Sequence, residues 1–203
     1  MAAHLLFKQV RNAPYRVHGV CRKNSLNLPI VEAMEAKTRQ TNGLTVHYGD
    51  VTDSFFMLGL IREVQPDEIY NFAALSQVGH SFTMAQATFD TNTKSVWNIC
   101  ESLRLLGLQS KTKVFHASTS EMFGDHSSLQ PPVESFNESS EFRPVSPYAV
   151  SKVAAYHICR YYKHVYGVMV ATAISFNHES PLRGEHFVTQ KVVKTAVAQA
   201  FSF

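Results

Sequence analysis

The sequence predicts an α/β protein built on a parallel sheet covered on both faces. Five short apolar or β-branched runs recur along the chain, each bounded by Gly, Asp, Ser or Asn. Longer segments of helical periodicity separate them, and the runs are mostly apolar rather than alternating, as in strands buried on both faces. Length and composition agree with one ordinary domain: 203 residues, 45% hydrophobic and 17% charged, exclude the disordered class and supply enough chain for a core.

In chain order, residues 2–10 read as a short helix that Asn12, Ala13 and Pro14 break. Extended runs follow at 15–21, 44–48, 69–74, 113–117 and 169–176. Between them, 53–64 is helical, opened by Thr52 and Asp53 as a cap. Residues 92–106 place Val96, Ile99, Cys100, Leu103 and Leu106 on one helical face, and Gly107 stops the helix. Residues 147–166 form a further helix, and 187–200 carry helical spacing at Val188, Val192, Val193 and Val197. The segment 125–146 is rich in Ser, Pro and Glu, contains Pro131 and Pro132, and reads as a mobile loop.

Charge and cysteine usage exclude several classes. A net charge of +3 with dispersed cations gives no basic stripe, so nucleic acid is not an expected partner. Cys21, Cys100 and Cys159 are odd in number and far apart, which fits neither a disulfide framework nor a thiolate metal site and points to a reducing compartment. The only early apolar run, Leu5 to Phe7, is too short for a signal or membrane span, so the expectation is a soluble cytoplasmic protein.

Polar residues collect where predicted strands end. Ser146 caps a helix with Pro147 at its first position, and Tyr148 and Lys152 then share one face at i and i+4. An ammonium beside a phenol favours phenolate, which makes Tyr148 a candidate base, and the same lysine can hold a cofactor ribose. Taken alone, this spacing also describes a surface tyrosine beside a solvated lysine. Ser118, Thr119, Ser120 and Glu121 follow the run at 113–117, at the end of the sheet where such folds bind ligands, although hydroxyls there also satisfy turns. Asp50, after Gly49, can accept from an adenine amino group or serve a turn; Ala73 and Ala74 permit close backbone approach or plain packing. Arg22, Lys23, Asn24 and Ser25 stand where an acidic residue would bind a ribose 2′-hydroxyl; cations there either favour a 2′-phosphate, hence NADP, or form a plain solvated turn. After the last strand, residues 177–185 precede a helix whose early turns hold Lys191, an arrangement suited to phosphate. His178 has no second ligand at metal spacing, and no metal site is expected.

Together these segments resemble the extended short-chain dehydrogenase/reductase superfamily and, within it, the GDP-mannose 4,6-dehydratase family. The most specific stretch runs from Phe176 through Asn177, His178, Glu179, Ser180, Pro181, Leu182, Arg183, Gly184, Glu185, His186 and Phe187 to Thr189. Val64 to Asn71 and Ala117 to Glu121 are similar to the same family, and Ser146 to Lys152 to the wider superfamily. The resemblance implies a Rossmann-like doubly wound parallel sheet, with residues 1–176 as a partial NAD(P)-binding domain and 177–203 as the start of a substrate-binding region. It implies a lyase that stores hydride on NADP while converting GDP-mannose to GDP-4-keto-6-deoxymannose, on the route to GDP-fucose and related deoxysugars, and that is a homo-oligomer when complete. In that scheme Tyr148 takes the 4-hydroxyl proton, Glu121 removes the C5 proton, Thr119 bonds near O4, and Lys152 holds the ribose and lowers the tyrosine pKa. Asn177 and Lys191 would contact the GDP-sugar. Asp50, Val51, Phe72, Ala73, Ala74, Leu75, Ser76, His178 and Arg183 would lie on the cofactor side.

The chain also departs from the family pattern. The family's first strand and GxxGxxG turn have no counterpart, and Ala87 replaces a cofactor-contacting tyrosine. In the strand order 3-2-1-4-5-6 the first strand is central, so the two strands before residue 50 are expected to separate from the three after it. A truncated non-catalytic relative, or an incomplete gene model, is the alternative of a different class. A nucleotide-sugar 4-epimerase or reductase is the nearer one, and Glu121 argues against it.

Overall fold

The computed structural model describes residues 16–24, 31–33, 35–36, 44–125, 135–179, 184 and 187–201. The helix expected at 2–10 lies outside these residues, as do Ser25 and Arg183. The strands are β1 (Val17–Cys21), β2 (Leu44–Tyr48), β3 (Glu68–Asn71), β4 (Lys113–Thr119) and β5 (Val170–Ser175). The helices are α1 (Ser54–Val64), α2 (Val78–Ser81), α3 (Ala85–Leu105), α4 (Pro147–Tyr166) and α5 (Val188–Phe201). Residues 31–33 and 35–36 are also helical, where no element is expected.

All described strand pairs are parallel, and they form two sheets: β1–β2, and β3–β4–β5 with β4 in the middle. The division falls where the doubly wound order places its first strand, as the sequence leads one to expect. Helices α1, α3 and α4 supply most of the core. Met57 and Ile61 of α1, Val96, Ile99, Cys100 and Leu103 of α3, and Ala155, Cys159 and Tyr162 of α4 pack with Val114, Val168 and Val170. Full burial of an aliphatic side chain of this size stabilises by about 1.5–3 kcal/mol. The three cysteines are free, two of them in this core.

Local chemistry sets the helix ends. The Asp53 side chain accepts from the N–H groups of Phe55 and Phe56 and starts α1; Gly167, at φ 72°, ends α4 in the left-handed region. The valines that give residues 187–200 their helical spacing, Val188, Val192, Val193 and Val197, are exposed on α5, which runs from Val188 to Phe201. Two expectations need correction. Helix α3 begins at Ala85 rather than at Asn92, because its inner face in this stretch is polar: Thr88 and Asn92 are buried. The described part of the loop, 135–146, is anchored: Phe136 stacks on Phe123 at 4.7 Å, Phe142 meets Tyr156 edge-on, and Arg143 N–H donates to Met122 C=O.

Candidate active site

Parallel strands bring their carboxyl ends to one side of each sheet, and the polar residues marked in the sequence follow those ends. Thr119 closes β4 and caps a single 3-10 turn, Ser120–Phe123, its hydroxyl accepting the Glu121 N–H at 3.2 Å. Met122 and Phe123 are buried beneath this turn, which leaves the Glu121 carboxylate exposed above it.

Helix α4 starts beside that turn. Ser146 Oγ accepts from Ala149 N–H, and Pro147 occupies the first turn. Tyr148 and Lys152 lie on its inward side, 7% and 4% exposed. Lys152 Nζ sits 5.9 Å from the centroid of the Tyr148 ring and donates to Ala117 C=O at 2.9 Å. That bond ties α4 to the end of β4, two residues before Thr119. Burial pulls the Lys152 pKa down to about 8, so the ammonium still carries its charge at neutral pH beside the tyrosine ring.

A second cluster belongs to the β1–β2 sheet. Arg22 follows β1 and Asp50 follows β2, with Arg22 Nη1 and Asp50 Oδ2 4.0 Å apart. Asp50 Oδ1 accepts from Thr52 N–H at 2.9 Å and Thr52 Oγ1 at 2.8 Å. Burial would raise the carboxyl pKa, but the Thr52 bonds and Arg22 outweigh it and hold it below the ordinary value. Lys23 and Asn24 form an exposed turn, and Val51 C=O accepts from Asn98 Nδ2 at 2.9 Å.

The turn after β3 is held from below. Asn71 Oδ1 accepts the Ala73 N–H and Asn92 Oδ1 the Leu75 N–H; Phe72 packs against Phe115, Ala74 is half-buried and Ser76 is exposed. Beyond β5, Asn177, His178 and Lys191 are exposed. Their described bonds are local: His178 Nδ1 donates to Phe176 C=O, and Lys191 N–H to Phe187 C=O. The geometry therefore joins Tyr148 and Lys152 to the Thr119–Glu121 turn, and Arg22 to Asp50, and Phe176, just before Asn177 and His178, stacks on Phe123 of that turn.

Sequence reasoning missed three buried groups near the site. His116, 1% exposed, lies next to Ala117; its Nδ1 faces Asn71 Nδ2 at 3.2 Å. Burial, reinforced by the Lys152 charge, lowers its pKa to about 3 and keeps it neutral. Asn92 and Ser151 are fully buried between α3 and α4. A histidine inside an apolar run, and polar residues on an inner helix face, carry no periodic signal of their own. Among the described residues no group of His, Cys, Asp and Glu is arranged to hold a metal ion.

Parallel strands alternating with helices, with a tyrosine–lysine pair set at the carboxyl end of the sheet, define a Rossmann-like α/β fold. Solved structures agree on the fold. A dTDP-glucose 4,6-dehydratase from Streptomyces venezuelae, with NAD bound, superposes with a TM-score of 0.79 at 24% identity over 98% of this chain and 58% of its own. A UDP-glucuronic acid 4-epimerase from Bacillus cereus, with UDP-glucuronic acid and NAD, gives 0.80 at 20% identity over 96% and 59%. The profile of the GDP-mannose 4,6 dehydratase family matches residues 3–201, and the chain belongs to that family. The GDP-mannose 4,6-dehydratase of Vibrio cholerae is 41% identical over 182 residues, covering 89% of this chain and 48% of the relative. The Drosophila melanogaster protein is 36% identical over 184 residues, covering 89% and 45%. The chain spans about half the length of the curated relatives it matches.

Proposed function

We propose that this chain carries the dehydratase chemistry of its family: removal of water from GDP-mannose to give GDP-4-keto-6-deoxymannose, with NADP as cofactor. The observation that carries the reading is Lys152, buried, bonded to the end of β4 and set against the ring of Tyr148.

The donor set suits a nicotinamide dinucleotide. Exposed Arg22 and Lys23 stand at the end of β1, small Ala73 and Ala74 follow β3, and the described hydrogen bond of Lys152 uses one of its three N–H donors. When bound, the cofactor supplies a reversible hydride acceptor. Tyr148, as phenolate beside the Lys152 ammonium, accepts the proton of the sugar 4-hydroxyl as the 4-ketone forms. Thr119 donates a hydrogen bond near O4. The ketone acidifies C5–H; the exposed Glu121 carboxylate accepts that proton and returns it to the hydroxyl leaving C6, so that water departs, the carboxylate is restored and a 5,6-alkene remains, which would take the stored hydride at C6 and, at C5, one proton in balance for the one Tyr148 took up. Asn177 and Lys191 belong to the GDP-sugar side, with His178, Asp50, Val51 and the turn from Phe72 to Ser76 on the cofactor side. The exposed apolar side chains Trp97, Leu105 and Val165 on α3 and α4 support assembly into a homo-oligomer. No described helix is long and apolar enough to cross a membrane.

The test is turnover of GDP-mannose with NADP by a version of this enzyme carried to the length of its relatives, and by two variants of it. Tyr148→Phe stops the first oxidation; Glu121→Gln permits it but blocks loss of the C5 proton, each costing about 10²–10⁴-fold in its own step. Deuterium exchange at C5 and dehydration both near wild type in Glu121→Gln would refute the role of that carboxylate. Arg22→Ala weakens NADP binding and leaves NAD binding nearly unchanged; equal losses for the two would remove the 2′-phosphate argument.

A further inference from the structure

Aromatic rings from segments far apart in the sequence meet on one side chain of the turn that carries Glu121. Phe123, at the end of that turn, is 2% exposed. Phe136 of the 135–146 loop lies flat on its ring, with centroids 4.7 Å apart and planes 6° from parallel. Phe142 of the same loop is tilted against it at 5.4 Å, and Phe176, which follows β5, stacks on it at 6.2 Å. Separations of about 4.5–7 Å are those at which aromatic pairs attract beyond the area they bury. Backbone bonds fasten the same place: Arg143 N–H donates to Met122 C=O at 3.0 Å, and Gly124 N–H to Glu121 C=O at 3.2 Å.

A 3-10 turn of four residues has few bonds of its own, so the packing of its buried side chains decides where its exposed ones stand. Here the buried ring is Phe123, two residues after Glu121, and a ring packed on it, Phe176, directly precedes Asn177. We propose that Phe123 is a positioning residue: its ring holds the Glu121 turn in register with the segment that opens at Asn177, and Phe136 locks that stack from the loop. The inference rests on the reading of Glu121 as the base for C5–H and of Asn177 as a contact of the GDP-sugar, since carboxylate and sugar must then meet closely; a misplacement of about 1 Å in such a pair costs about 10²-fold. Tyr148 is fastened in another way. Ser146 caps its helix, and Lys152 bonds the Ala117 carbonyl, so loosening the rings acts on the C5 step and spares the first oxidation.

Phe136 is the place to loosen the stack, because it is half-buried and belongs to neither the base nor the sugar contacts. Phe136→Leu removes the flat ring and keeps an apolar side chain. Phe136→Tyr keeps the ring. Phe123→Leu removes the ring that the others meet.

Amide hydrogen exchange on the full 203-residue chain is the first measurement. In Phe136→Leu, exchange at Gly124 and Arg143 is expected to rise by about threefold or more, while Phe115 in the centre of β4 stays at its wild-type rate. Step-resolved turnover of GDP-mannose, in the enzyme carried to the length of its relatives, is the second. Phe136→Leu lowers C5 deuterium exchange and dehydration by about 3- to 10-fold and leaves the first hydride transfer within about twofold, and Phe136→Tyr restores the C5 step. Phe123→Leu shows the same split, and adding Phe136→Leu to it changes little, as for residues acting through one stack. Unchanged exchange at Gly124 and Arg143 in a folded Phe136→Leu protein would overturn the proposal. So would equal losses in the two chemical steps, or a Phe136→Tyr variant no better than Phe136→Leu. An unaltered enzyme that does not oxidise GDP-mannose would sink the dehydratase reading alone, and the exchange measurement would still decide whether the rings hold the turn.

Discussion

Burial acts on two neighbouring nitrogen bases in the same direction, and each leaves a pH signature. His116 has a pKa near 3 in the folded protein against an ordinary 6.5, so between these values the unfolded chain binds more protons. Its contribution is present above pH 6.5 and is lost as pH falls through that window. Denaturant titrations at pH 7 and pH 4.5 should show a smaller acid loss in His116→Gln than in wild type; equal losses would mean that His116 protonates in the folded state. Lys152 works at the other end: with a folded pKa of about 8 against an ordinary 10.5, the unfolded chain binds more protons between these values, and stability rises with pH across them. Lys152→Met should flatten that rise in thermal melts at pH 7.5 and 9.5. Tyr148 and Lys152 were legible because a cap, a proline and an i,i+4 spacing are local signals. The Arg22–Asp50 pair and the His116–Asn71 contact were not, because only the parallel pairing of distant strands creates them.

At the scale of elements, strands were legible to within a few residues because apolar runs bounded by turn formers leave few alternatives. The first two turns of α3 were not. Their inward side chains, Thr88 and Asn92, are the kind that sequence patterning assigns to solvent, and here they serve hydrogen bonding between elements. The turn that carries Glu121 shows a similar dependence on distant backbone. It ends at Gly124, whose φ is 68° and whose missing Cβ leaves room for the Arg143 carbonyl. An alanine there meets both an unfavourable φ and a backbone atom that belongs to the loop at 135–146. Gly124→Ala should therefore cost about 1–3 kcal/mol and detach that loop from Met122. Chemical denaturation measures the first effect, and limited proteolysis within 135–146 the second. A variant as stable and as resistant as wild type would show that the loop moves aside at little cost.

Across the whole molecule, stability is unevenly placed. The packed cluster draws on α1, α3, α4, β4 and β5, whereas neither β1 nor β2 contains a buried residue, and among the described residues their sheet has two strands. Two-stranded sheets with little buried apolar surface open at far lower free energy than a strand flanked on both sides, and a domain of this kind has only about 5–15 kcal/mol to distribute. The separation of the first two strands from the rest was legible from strand order alone; its energetic consequence needed the burial pattern. Amides in β1 and β2 should thus exchange by local opening at rates orders of magnitude above those in β4, which is paired with β3 and β5. Arg22, Lys23 and Asp50 stand at the open ends of β1 and β2, so a ligand they hold stabilises the state in which those strands are paired. Adding NADP should slow exchange in β1 and β2 more than in β4, and Arg22→Ala should reduce that protection. If β1 and β2 match β4 in exchange without NADP, the two sheets share one cooperative unit, and the weakness assigned to the first is wrong.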